Sequence, residues 1–68
     1  MTDQLDDAER LIARRAWREA HALCLAALNA DAAPARALFL LGVIAAEHGN
    51  HGQAADLFAR AAAQDPAA

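Results

Sequence analysis

Residues 37–50 read ALFLLGVIAAEHGN, an apolar run that gives way to polar residues and a glycine. From Leu38 to Ala46 the run is apolar nearly all round, which is typical of a helix buried on more than one side. Gly49 can adopt the left-handed backbone conformation that ends a helix, and Pro34 suits a first helical turn. The sequence therefore predicts a buried helix over about residues 35–48.

Three further helices are predicted from apolar residues that recur at intervals of three and four. They span about residues 3–15, 18–30 and 52–64. Three aspartates lie near the start of the first helix, and Arg14 and Arg15 occupy its last turn, as the helix dipole favours. Only four residues of the chain are β-branched, too few for a sheet. We therefore predict an all-α fold of two antiparallel helical hairpins in series.

The composition limits what the chain can do. It has 68 residues, 22 of them alanine, one cysteine, and no serine, lysine or tyrosine. A chain of this length buries only about 60% of its unfolded surface, too little for a large two-layer enzyme domain. A single cysteine excludes an internal disulfide framework, and the missing side chains exclude serine nucleophiles and P-loop or Schiff-base lysines.

The ends and the charge of the chain indicate its surroundings. The first seven residues are polar and acidic, unlike a secretory signal, and no apolar run reaches the length of a membrane span. The formal net charge is −3, which disfavours nucleic acid as a partner. We therefore expect a cytoplasmic protein that binds neither membranes nor nucleic acid.

The two halves of the chain align when one is shifted by 34 residues. The shift superposes five pairs of identical residues: Ala20 and Ala54, Leu23 and Leu57, Ala27 and Ala61, Asp31 and Asp65, and Ala33 and Ala67. Most of these pairs follow the inner stripe of the second helix of each hairpin. The halves are therefore interpreted as two copies of one unit.

The second half carries a set of residues at fixed spacing: Leu38, Leu41, Gly42, Ala45, Ala54, Phe58 and Pro66. This set resembles the tetratricopeptide repeat, a 34-residue helical hairpin. Leu38 stands where the family pattern has Trp, and Ala45 where it has Tyr. The first half is similar to a degenerate copy, with Asp7 at the leucine position and Ala8 at the glycine position. The resemblance implies two repeats, residues 1–34 and 35–68, stacked as a short right-handed α-solenoid.

The resemblance also implies a binding surface. In proteins of this family the first helix of each hairpin lines a concave face that holds an extended peptide or a partner helix. On this sequence that surface, which we call the predicted face, comprises Leu5, Glu9, Ile12, Ala13, Arg36, Phe39, Leu40, Val43, Ala46 and Glu47. Some family members clamp a carboxylate with an asparagine and a lysine, but here Val43 and Leu5 stand at those positions.

The predicted face is apolar around Phe39, Leu40 and Val43, and a soluble monomer rarely leaves such a patch open. An amphipathic or apolar segment of a partner, a second copy of the chain, or a missing part of a longer chain could cover it. Repeat arrays generally contain three or more units, so we expect a homo-oligomer or a truncated chain.

These observations predict a protein–protein interaction module, a scaffold or adaptor without catalysis, cofactor or metal. The alternative is an N-terminal appendage of a larger bacterial enzyme, such as a transferase or hydroxylase, that positions a substrate or mediates dimerisation. Continuation of the reading frame past Ala68 would distinguish the two.

Two groups of residues could carry chemistry but also have packing interpretations. Cys24 is a nucleophile with His21 one helical turn away, yet it occupies the position of Phe58 in the other half, so we expect a buried apolar side chain. His48 and His51, with a neighbouring glutamate, straddle a turn and offer no fourth zinc ligand. We expect a structural or solvated position for both histidines.

A basic run surrounds the only tryptophan, as Arg14-Arg15-Ala16-Trp17-Arg18. Basic residues beside an aromatic ring can hold a phosphate backbone or a base. Acidic residues surround the run, however, and Trp17 lies at a repeat position that is usually aromatic. We therefore expect salt bridges for the arginines and a packing position for Trp17.

Overall fold

The structure is a computed structural model, and it describes residues 4–64. Within that range it contains four α-helices and no strand: α1 Gln4–Ala13, α2 Trp17–Asn29, α3 Pro34–Glu47 and α4 His51–Gln64. The predicted all-α fold is confirmed, and each described helix end lies within two residues of its predicted position. Residues 3, 65, 66 and 67, on which some of the predictions depend, lie outside the described range.

The helices pack in sequence order around α3. Three-residue turns join α1 to α2 and α3 to α4, and the two helices of each pair contact each other. α3 also packs against both α1 and α2, whereas the backbones of α2 and α4 do not approach each other closely. α3 is therefore the central helix, as its apolar sequence predicts, and most of its buried residues belong to one core cluster with Leu5, Cys24 and Leu57.

Three helices end with the same backbone geometry. At the ends of α1, α2 and α3, the residue in the left-handed conformation is Arg15 (φ 62°), Asp31 (φ 55°) and Gly49 (φ 78°). In each case the backbone N–H of the following residue donates a hydrogen bond to a carbonyl oxygen of the last helical turn. Ala16 donates to Leu11, Ala32 to Ala27 and Asn50 to Ala45. This is the Schellman motif, which satisfies carbonyls that the helix end would otherwise leave unpaired.

The end of α1 corrects one prediction. Arg14 and Arg15 follow the helix, which ends at Ala13, instead of occupying its last turn. Arg15 is in the left-handed conformation, so the helix cannot continue through it. Gly49 and Pro34 are placed as predicted, Gly49 in the left-handed conformation after α3 and Pro34 at its first turn.

The 34-residue offset of the sequence is present in the backbone. α1 ends at residue 13 and α3 at 47, while α2 begins at 17 and α4 at 51. The left-handed residues of the two turns, 15 and 49, are separated by the same interval. The two hairpins are therefore equivalent residue by residue across their turns.

Candidate interaction face

An aromatic pair on the α3–α4 hairpin forms the centre of the candidate site. A Cβ atom placed on Gly42 would lie 2.6 Å from Cε1 of Phe58, so the glycine leaves room for that ring against α3. The Phe58 ring in turn packs on Phe39, with 5.3 Å between ring centroids and a tilt of 41°. The absence of a side chain at Gly42 therefore makes room for the Phe58 ring, and the Phe58 ring packs on one side of Phe39.

Phe39 is the accessible member of this pair. Its exposed fraction is 52%, and it is one of two large hydrophobic residues that are exposed within residues 4–64. Ile12, Val43 and Ala46 of the predicted face are half-buried. These residues give the face an apolar surface with one protruding ring.

The structure reduces the predicted face at two positions. Leu5 is 1% exposed and Leu40 is 5% exposed, and both belong to the core cluster. Side chains that are buried in the core between packed helices are not accessible to a partner. The accessible apolar part of the face is therefore centred on Phe39 and Val43, while Leu5 and Leu40 belong to the core.

Arg36 joins the two hairpins on this face. Its guanidinium donates a 2.6 Å hydrogen bond to Oδ1 of Asp6 and lies 2.9 Å from Oε1 of Glu9. The hydrogen bonds to Asp6 and Glu9 raise the pKa of Arg36 further above its ordinary value. Because these carboxylates already pair with Arg36, its charge is largely neutralised within the chain. Glu47, at the other end of α3, is exposed and leaves that edge acidic.

Cys24 is placed as predicted, in the core. It is fully buried, and this burial raises the pKa of its thiol. A protonated, inaccessible thiol is a poor nucleophile. His21, the base that would have to activate it, lies on the exposed side of α2. The structure therefore does not bring a nucleophile and a base together at Cys24.

His48, which follows α3, makes contacts that the sequence did not reveal, whereas His51 is the first residue of α4 and is exposed. Nδ1 of His48 lies 2.8 Å from the carbonyl oxygen of Ile44, and since that oxygen can only accept, Nδ1–H donates. The ring of Trp17 meets His48 edge-on at 5.2 Å between centroids. Trp17 thus has a packing position, in contact with the end of the second hairpin. Within the described part of the chain, no three His, Cys, Asp or Glu side chains are grouped as metal ligands.

The basic run differs from its prediction. Arg14, Arg15 and Arg18 are exposed, and none of them forms an ion pair with another residue of the described range. The ion pairs of α1 instead use Arg10 with Asp7, at 2.6 Å, and the bridge to Arg36. The predicted salt bridges of this run are therefore wrong for the residues that the structure describes.

A scan against protein-family models and searches of curated proteins and of solved structures found no match to this chain. None of the helices between residues 4 and 64 is both long enough and apolar enough to cross a membrane.

Proposed function

We propose that this chain is a protein–protein interaction module of the tetratricopeptide type, with no chemistry of its own. One observation carries the proposal: Phe39 is 52% exposed on a surface where neighbouring apolar residues are half-buried. An exposed aromatic ring in an apolar surround is a common anchor of protein interfaces. The 34-residue equivalence of the two hairpins supports the repeat interpretation.

The ring is held in place before any partner binds. Phe58 packs on one side of Phe39, and the absence of a side chain at Gly42 lets Phe58 pack closely against α3. A side chain that is already ordered loses little conformational freedom on binding, so more of the contact energy remains for affinity. This arrangement favours a binding surface over an accidental exposed residue.

The charges around the ring indicate the chemistry of the partner. Arg36 is already paired with Asp6 and Glu9, and Glu47 adds an exposed carboxylate near the end of α3. We infer an amphipathic segment with an apolar side that meets Phe39 and Val43 and with basic residues at its flank. That segment belongs to a partner protein or to a second copy of the chain.

Two aspartate variants test the proposal. Phe39→Asp places a charge at the centre of the face, and Leu25→Asp is the matched control, because Leu25 on α2 is the other exposed large hydrophobic residue of the described range. The expected result is that a specific partner, or a dimer in sedimentation experiments, is retained by the parent and by Leu25→Asp and lost from Phe39→Asp. A partner or dimer that Phe39→Asp retains would exclude this face.

A further inference from the structure

A cavity of about 300 Å³ lies between α2 and α4, with α3 as its floor. It exists because α2 and α4 both pack on α3 while their backbones stay apart. None of its lining residues belongs to the predicted face, so it is a separate surface. Its volume lies at the lower end of the range for small-molecule sites. We call it the α2–α4 groove.

The middle of the groove is apolar. Leu38 and Leu41 of α3 form the floor, while Leu25 and Leu28 of α2 and Leu57 of α4 form the walls. Leu25 is 40% exposed, so this groove accounts for the second exposed large hydrophobic residue of residues 4–64. The leucines of the floor and walls offer an apolar surface to the hydrocarbon body of a ligand.

The edge of the groove is lined by hydrogen-bond donors. Its polar residues are His21, His48, Asn50, Gln53 and Arg60. His48 already donates its Nδ1–H to Ile44, while the side chains of the other four residues can donate to a ligand. Of the residues that the structure describes there, none is acidic, although the sequence has nine Asp and Glu against six Arg. An acidic protein thus has a groove without carboxylates, and this favours an anionic ligand.

Most of the polar residues lie at one end of the groove, and Arg60 lies apart from them. Successive helices run in opposite directions, so His21 and Gln53, near the starts of α2 and α4, lie at the same end of the groove as His48, which follows α3. Arg60 lies two turns further along α4, beyond Leu57. The His48 ring is fixed by its hydrogen bond to Ile44 and by Trp17, so this end of the groove is pre-formed.

We propose that the α2–α4 groove binds a small amphipathic carboxylate, a molecule with a hydrocarbon body and a single carboxylate group. The body lies on the leucines and the carboxylate pairs with the Arg60 guanidinium at the groove edge. A cavity of 150 Å³ holds benzene, so this one holds roughly ten to twelve non-hydrogen atoms. An eight-carbon acid has that size, and ligands of this size bind with dissociation constants on the order of 1 mM.

Trp17 provides a direct readout. It is the only tryptophan, the chain has no tyrosine, and its ring touches His48 at the groove edge. The experiment titrates the protein with octanoate, 1-octanol and butanoate while tryptophan fluorescence is recorded. We expect a saturable change with octanoate, binding about threefold to tenfold weaker with 1-octanol, and no saturation with butanoate. Equal binding of octanoate and 1-octanol, or no saturation with octanoate up to about 10 mM, would overturn the proposal.

Variants locate the ligand. Arg60→Gln should weaken octanoate binding about threefold to tenfold and leave 1-octanol unchanged. The control Arg18→Gln removes an exposed arginine of α2 that does not line the groove, and it should change neither. Leu25→Asp places a carboxylate in the groove wall and should abolish octanoate binding, while Phe39→Asp should not affect it. The reverse pattern, with binding lost in Phe39→Asp and retained in Leu25→Asp, would place the ligand on the predicted face and contradict a groove site.

Circular dichroism of each variant separates loss of binding from loss of folding. Leu25, Phe39 and Arg60 are exposed, so we expect all three variants to retain the helical spectrum of the parent. Because the aspartate variants act on different surfaces, failure of the groove site leaves the protein-interaction proposal open to its own test. An Arg60→Gln variant that is folded and binds octanoate as the parent does would exclude the ion pair.

Discussion

Leu5 and Phe39 occupy equivalent positions in the two hairpins, 34 residues apart, yet Leu5 is 1% exposed and Phe39 is 52% exposed. The backbone around them does not account for this difference, since both lie in the first helix of a hairpin with the same turn geometry. The neighbours do account for it. In the first hairpin, α1 is packed against α3, the first helix of the next hairpin, whereas within residues 4–64 no helix of a further hairpin packs against α3 in the same way. The same position is therefore core in one hairpin and surface in the other.

A second pair of equivalent positions shows how each hairpin fills the space between its helices. In the first hairpin the pair is Ala8 and Cys24, both fully buried. In the second hairpin the equivalent pair is Gly42 and Phe58. Compared with the first hairpin, glycine replaces alanine on one helix and the larger phenyl ring replaces the cysteine side chain on the other. The smaller residue on one helix compensates for the larger side chain on the other, as close packing requires. The consequence is that only the second hairpin presents an aromatic pair.

Replacing Leu5 or Phe39 by alanine should give the largest difference in the free energy of unfolding between equivalent positions. We expect Leu5→Ala to lower the free energy of unfolding by about 3 kcal/mol, because it leaves a cavity in the core. Phe39→Ala should lower it by less than about 1 kcal/mol, since that ring is half in water. Urea unfolding of both variants measures the difference. Equal costs would mean that the two positions have the same environment, against the contrast seen here.

An added methyl group at the helix crossing should have the next largest effect. Gly42→Ala brings a Cβ within 2.6 Å of the Phe58 ring, and the overpacking should cost about 1–2 kcal/mol after the gain in helix propensity.

The matched background is Phe58→Cys, which reproduces the Ala8 and Cys24 pair of the first hairpin when combined with Gly42→Ala. In that background we expect Gly42→Ala to be neutral or stabilising by up to about 1 kcal/mol. A double-mutant cycle from thermal or urea unfolding gives the coupling. A Gly42→Ala cost that is unchanged by Phe58→Cys would show that the ring is not what the glycine accommodates.

The helices could be predicted from the sequence because their causes are local. Apolar spacing, Pro34 and Gly49 act within a few residues, and each helix end was placed within two residues of its position. Arg15 was misplaced because its left-handed conformation has no glycine to indicate it. The 34-residue shift identifies Arg15 as the equivalent of Gly49, and that is the signal by which the end of α1 could have been found.

The surfaces were less predictable because they depend on which helices meet. The burial of Leu5 and Leu40 follows from the core that the four helices form together, and the groove follows from the gap between α2 and α4. Neither is a property of one helix. The pairing of Trp17 with His48 joins residues of different hairpins, and a single sequence carries no signal for that contact.

The two turns provide a smaller test with opposite signs. Arg15 holds the left-handed conformation with a side chain, and Gly49 holds it without one. We expect Arg15→Gly to stabilise the protein by about 0.5–1 kcal/mol and Gly49→Ala to destabilise it by about 1 kcal/mol. No atom lies within 4 Å of a Cβ added to Gly49, so the second cost comes from the backbone alone. Thermal unfolding midpoints that move in the same direction for both variants would contradict the equivalence of the turns.

The two hairpins should also differ in how their core residues affect stability at alkaline pH. Cys24 can ionise, whereas its equivalent Phe58 cannot, and burial raises the pKa of the Cys24 thiol above its ordinary value. The folded state therefore favours the protonated thiol. The contribution of this thiol to stability is fully present below about pH 8.5 and is lost as the pH rises towards the pKa of the thiol in the folded protein.

The chain has no lysine or tyrosine, which leaves Cys24 as the only side chain that titrates between about pH 8 and 11. We expect urea midpoints measured across that interval to fall for the parent and to stay level for Cys24→Ala, whose lower starting stability cancels when each protein is compared with itself at pH 7. A parallel fall in both proteins would assign the alkaline loss to a group other than the buried thiol.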